Sequence, residues 1–183
     1  MKLILGFTGE KAGGKGTAAA YMRERYGASS YRYSDFLRTI LGVLGLSVSR
    51  EHLITLSVSL RRDFGEDVLA RAIAAAAEKD PHEIVVVEGI RRVADCENLR
   101  ALPNFHLIHL TAEVKIRYER SKARGENAGD QEMAFEQFLK EELAPTEISI
   151  RDTAALAETK IENNGTKEEL YKKIDDLVKS YAP

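Results

Sequence analysis

"KLILGFTGEKAGGKGT", residues 2–17, runs from a short apolar stretch into a loop with four glycines and two lysines. Gly9, Gly14 and Lys15 follow the spacing G-x-x-x-x-G-K. That triplet arises by chance in about one chain in twenty of this length, so its surroundings must carry the weight. Leu3–Phe7 reads as a buried strand before the loop, and Thr17–Tyr26 as an Ala-rich helix after it. A phosphate-binding loop requires that strand–loop–helix context. Backbone N–H groups converge on a phosphate where no Cβ obstructs them, and a helix N-terminus adds partial positive charge. On this reading Gly9, Ala12, Gly13, Gly14, Gly16 and Thr17 form the cradle, and Lys15 brings a mobile full charge. Gly16 stands where the common form of the pattern has a hydroxyl, with Thr17 one place later.

Outward from the loop, apolar runs at Ile84–Val87, Phe105–Leu110 and, more weakly, Thr159–Glu162 predict further buried strands. "SYRYSD" (30–35) has room for one more short strand. Helical patterns lie between them at Ser34–Leu44, His52–Arg62, Glu66–Lys79, Glu113–Arg124, Gln131–Leu143 and Lys167–Tyr181. Ser49 is an expected N-cap and "TKEE" (166–169) an expected capping box. Strands alternating with helices imply a parallel sheet covered on both faces. The expected architecture is a three-layer α/β/α phosphate-loop fold with a central parallel sheet of about five strands, one domain over residues 1–183.

The bulk numbers narrow the function classes. Apolar residues make up 44% of the 183 residues and charged ones 31%, an ordinary globular mixture. Formal charge is −2, so no global field argues for nucleic acid or an anionic membrane, and any anion site is local. The one cysteine, Cys96, leaves no internal disulfide and fits a reducing compartment. The first apolar run is interrupted at Gly9-Glu10-Lys11, too early for a signal-peptide core, and no stretch approaches the ~20 apolar residues of a membrane span. A cytoplasmic protein with a small-molecule ligand, monomeric or homodimeric, is the expectation. The histidines have no metal-ligand spacing with Cys96, and His106 and His109, in one strand, read as structural.

"IVVVEGIRR" (84–92) is an apolar strand ending in an acid. At that end, across from the phosphate loop, a carboxylate can hold a magnesium-bound water, which makes Glu88 the metal candidate, with Thr17 a possible second. Arg91 and Arg92 then fall at the sheet edge where open α/β sheets bind ligands. Arg120 and Arg124 are like charges one helical turn apart, which an anion between them would relieve, while Glu113 and Glu119 are better placed for Arg117 and Lys122.

"GKGT" (14–17) resembles the adenylate kinase branch of the nucleoside and nucleotide kinases, although Glu10 and Lys11 are closer to phage deoxynucleoside monophosphate kinases. The resemblance implies ATP with magnesium held largely through water. "YSDFLR" (33–38) looks like the acceptor-side segment of adenylate kinases, so Asp35 would start a helix and Arg38 reach the acceptor's phosphate. An arginine after the strand acid touches that phosphate in these families; Arg91 and Arg92 match two different family spacings, and both stay open alongside Glu88 as acceptor-side residues. By the same resemblance, residues about 34–80 carry the acceptor-side helices and about 120–140 a short lid, while the loop with Asn164 and Gly165 wraps the adenine beside Arg120. Lys15, Arg92, Arg120 and Arg124 would then act on the transferred phosphoryl group. The chain departs from adenylate kinases in having no arginine between Gly125 and Ile150.

Three functions compete. A nucleoside monophosphate kinase needs positioning and charge neutralisation, which the arginines at 38, 91, 92, 120 and 124 suit. A dephospho-coenzyme A kinase attacks with a ribose hydroxyl and needs a base, for which Asp35 is placed. A nucleotide-driven ATPase switch needs no acceptor at all.

Overall fold

The computed structural model describes residues 2–125, 131–143 and 145–181, without the side chains of residues 50 and 145–147. Five strands form one sheet: β1 (Leu3–Thr8), β2 (Ser29–Arg32), β3 (Ile84–Ile90), β4 (Phe105–Thr111) and β5 (Thr159–Glu162). Their order is β2-β3-β1-β4-β5, and every neighbouring pair is parallel. This is the expected sheet.

The apolar runs lack polar alternation because both faces of the sheet are covered. Leu3, Leu5 and Phe7 point into one core with Ala18, Ala19 and Met22 of α1 (Lys15–Tyr26) and Ile174, Leu177 and Val178 of α9 (Lys167–Tyr181). Ile4, Val85, Val87 and Leu107 point into the other. There they meet Ala70, Ile73 and Ala77 of α4 (Val68–Lys79) and Cys96 and Leu99 of α5 (Val93–Arg100). Each such aliphatic side chain contributes about 1.5–3 kcal/mol when fully buried. The small alanines of α1 and α4 let those helices approach the sheet closely.

α2 (Tyr33–Val43) and α3 (Arg50–Phe64) precede α4, while α6 (Val114–Arg124), α7 (Phe135–Glu141) and α8 (Pro145–Ala154) lie between β4 and β5. Ser49 Oγ accepts from the His52 amide at 3.1 Å, and Thr166 and Glu169 exchange both capping bonds, as expected.

Four local expectations need correction. β2 ends at Arg32, so Asp35 lies inside the first turn of α2 and does not start it. The helix expected over 131–143 is reduced to Phe135–Glu141; residues 126–130 of the expected lid lie outside the described residues. α5 was not anticipated, because a carboxylate, Asp95, is buried on its inner face beside Cys96 and Leu99 and breaks the apolar pattern. α8, short and mixed in character, was also not anticipated.

Candidate functional site

The glycine-rich loop leaves the C-terminal end of β1, the middle strand, and feeds α1. Gly9 has φ 139°, and a Cβ there would lie 1.9 Å from the Leu110 carbonyl oxygen. Gly14 has φ 111°, and its Cβ would lie 2.3 Å from Asn163 Nδ2. The two glycines of the motif are therefore backbone requirements of the loop. Ala12 itself is left-handed, with φ 60°, a conformation costing an alanine about 1–2 kcal/mol. α1 begins at Lys15 and has no acid in its first turn, so its first N–H groups and its dipole are available to an anion. Lys15 Nζ donates to the carbonyls of Gly9 at 2.6 Å and Glu10 at 2.8 Å. Its ammonium thus lies folded back over the loop.

Glu88 stands against the start of α1: a Cβ on Gly16 would lie 3.7 Å from its Oε2. The Glu88 side chain is 5% exposed. Ser30 Oγ donates to Oε1 at 3.0 Å and Arg32 Nη2 to Oε2 at 3.1 Å. Magnesium commonly uses one or two carboxylates with phosphate and water. A buried carboxylate beside a phosphate cradle would suit such a metal, which Glu88 would hold through water; Thr17 lies half-buried in the same first turn of α1.

Under the loop, Glu10 Oε2 lies 3.6 Å from His109 Nε2, on β4. Burial opposes the charge of Glu10, but His109, the loop backbone and Thr111 outweigh it and hold the carboxyl down at about 2. Lys11, also in the loop, pairs with Glu141 of α7 at 3.6 Å and stacks over buried Phe138. Arg117 of α6 donates twice to Glu142, at 2.8 and 2.6 Å, and once to the Ala112 carbonyl at 2.9 Å. The partner of Arg117 is therefore Glu142, not Glu113 or Glu119.

On the β2–β3 side, Arg38 pairs with Asp35 at 3.7 Å and both are exposed. Arg92 pairs with Glu66 at 2.9 Å. Asp95 accepts from the Arg91 amide at 3.3 Å and the Arg92 amide at 3.2 Å, and from buried Arg61 at 2.8 Å. Arg61 also donates to the Glu66 carbonyl. Arg61 and Asp95 hold the turn that carries Arg91 and Arg92; neither was singled out in the sequence, since an ion pair between helices leaves no local signal.

On the β4–β5 side, Asn163 Nδ2 donates to the Gly13 carbonyl at 3.1 Å, tying the last loop to the phosphate loop. Asn164 Oδ1 accepts from the Glu113 amide at 2.8 Å. Arg120 donates to the Asn163 carbonyl at 2.7 Å and the Gly165 carbonyl at 2.9 Å. Arg120 is thus directed to that loop, and Arg124 is exposed at the end of α6. Among the described residues no group of three His, Cys, Asp or Glu side chains could hold a metal. Cys96 is buried, and burial pushes its thiol up to about 12.

A parallel five-stranded sheet of this order, with a glycine-rich loop on its central strand and an acid on the next, defines a phosphate-loop kinase-like α/β fold. Solved structures share it: shikimate kinase from Acinetobacter baumannii (18% identity, TM-score 0.57, covering 100% of this chain and 96% of that one) and from Bacteroides thetaiotaomicron (10%, 0.65, 97% and 98%). A family model described as an AAA domain matches residues 5–143, and the chain belongs to that family. Its relatives include a UPF0200 protein of Thermococcus gammatolerans (28% identity, 96% of this chain and 94% of that one) and one of Sulfurisphaera tokodaii (28%, 96% and 96%). No helix among the described residues is long and apolar enough to cross a membrane.

Proposed function

We propose that the protein is an ATP-dependent phosphotransferase acting on a nucleoside or deoxynucleoside monophosphate. The observation that carries this reading is the meeting of the Gly9–Lys15 loop, the N-terminus of α1 and buried Glu88 at one sheet end. In the proposed reaction an acceptor phosphate oxygen bonds to the γ-phosphorus as the bridge to the β-phosphate breaks, and ADP leaves. Lys15 moves from the Gly9 and Glu10 carbonyls onto the phosphates, whose charge outcompetes neutral oxygens. The loop with Asn164 and Gly165, held by Arg120, is the proposed adenine site. Magnesium, when bound, would offset phosphate charge beside Glu88. Arg38, Arg91 and Arg92 are the proposed grip on the acceptor, the last two set by Asp95.

Two other readings have support. The AAA-domain match favours a nucleotide-driven ATPase. Exposed Asp35 would be the base of a dephospho-coenzyme A kinase. A coupled ADP-release assay across ribo- and deoxynucleoside monophosphates and dephospho-coenzyme A separates all three, run with Lys15→Ala and Asp35→Asn. We expect turnover with a monophosphate, lowered at least about 100-fold in Lys15→Ala and only modestly in Asp35→Asn. Turnover confined to dephospho-coenzyme A and lost in Asp35→Asn gives the hydroxyl kinase. Turnover with water alone gives the ATPase.

A further inference from the structure

α3 has two apolar sides. Leu53, Leu56 and Leu60 pack inward against the core beneath α4. On the outside, Ile54 and Val58 are 55% and 57% exposed. The segment leading into α3 exposes Val43, Leu44, Leu46 and Val48, and its C-terminus exposes Phe64. Of the eleven exposed large apolar residues among the described ones, these seven fall between positions 43 and 64. Scattered exposed apolar residues are ordinary, but a concentration on one arm marks an interaction surface.

The order of these residues says what fits. Val48, just before the helix, and Phe64 lie eight residues either side of Leu56, and Ile54 and Val58 two; exposed Glu51, five residues before it, faces exposed Arg62, six after it, within one residue of the same pairing. Apolar meets apolar, acid meets base, apolar meets apolar. A stripe with that symmetry complements itself when turned over about a two-fold axis through its middle. We propose that this arm docks on a second copy of the chain, with the two α3 helices antiparallel and crossing between Ile54 and Val58. Antiparallel packing also sets opposite helix dipoles side by side. Arg62 already holds Asp63 at 2.8 Å, and the partner's Glu51 would join it at the rim. With α3 only about 22 Å long, the contact sits at the small end of specific interfaces and should dissociate on dilution.

Sedimentation velocity over a wide concentration range tests this on the full chain. The parent should pass from monomer to dimer and stop there, because a two-fold contact closes on itself. Val58→Glu, at an exposed site, should abolish the dimer and leave thermal unfolding unchanged at dilutions where the parent is monomeric. Glu51→Arg or Arg62→Glu alone should each weaken association about tenfold, since both copies of the pair turn repulsive. The double exchange, E51R with R62E, should restore it. A parent monomeric throughout, larger oligomers, a Val58→Glu dimer, or no rescue by the double exchange would overturn the proposal.

Discussion

A methyl group on Gly16 would meet Glu88 Oε2 at 3.7 Å and Arg32 Nη2 at 3.9 Å, both ordinary contacts. Packing therefore does not demand glycine there, in contrast to Gly9 and Gly14. Gly16→Ser should fold normally and gain a few tenths of a kcal/mol in thermal unfolding, from the lower helix cost of serine. Gly9→Ala drives a Cβ into the Leu110 carbonyl and should cost upwards of about 2 kcal/mol, with loss of nucleotide-induced stabilisation. Glu88→Gln keeps the shape but withdraws the charge that Arg32 pairs with. Magnesium titration of nucleotide binding should show a weakened metal dependence; a titration matching the parent would move the metal role away from Glu88. The loop glycines and Glu88 were legible in the sequence because motif spacing and a strand's end are local features. Arg32 was not, since its role comes from the β2–β3 register that sets it opposite Glu88.

Two side-chain contacts join the elements around the loop, and each has a measurable weight. Glu10 is held at about 2, below its usual 4.5. A lowered carboxyl stabilises the fold above its unfolded value and loses that contribution as pH falls from about 4.5 towards 2. The pair contributes on the order of 3 kcal/mol at most. Urea unfolding at pH 7 and pH 3 should show a smaller acid loss in Glu10→Gln than in the parent; equal losses would remove the Glu10–His109 contact from the balance. The Arg117–Glu142 pair fastens the residue after α7 to α6. Arg117 is 7% exposed, so Glu142→Ala strands a nearly buried charge and should cost about 3 kcal/mol in the same measurement. Neither partner could be chosen from the sequence. Helical spacing offered Glu113 to Arg117, whereas the turn after α7 brought Glu142, 25 residues away.

For the whole molecule, phosphates seated on β1, α1 and the turn after β3 would engage elements on both faces of the sheet. ATP with magnesium at 100 times its Kd, binding the folded chain alone, should raise the unfolding free energy by about 2.7 kcal/mol. Lys15→Ala should lose most of that rise, as read from thermal unfolding with and without nucleotide. The sequence alone determined the strand–loop–helix unit, the parallel sheet with both faces covered, and Glu88 towards the C-terminal end of β3, which runs on to Ile90. Burial period, backbone sterics and strand polarity are all written within a few residues of where they act. Tertiary structure alone decided that Asn163 closes on Gly13, that Arg61 and Asp95 set the Arg91–Arg92 turn, and that Arg120 turns to the last loop. Those partners stand 150, 34, 4 and 43 residues apart. Except for the short step from Asp95 to the Arg91 amide, they meet because the helical crossovers stack distant segments at one end of the sheet. A charged side chain carries no record in its neighbours of which crossover will deliver its partner.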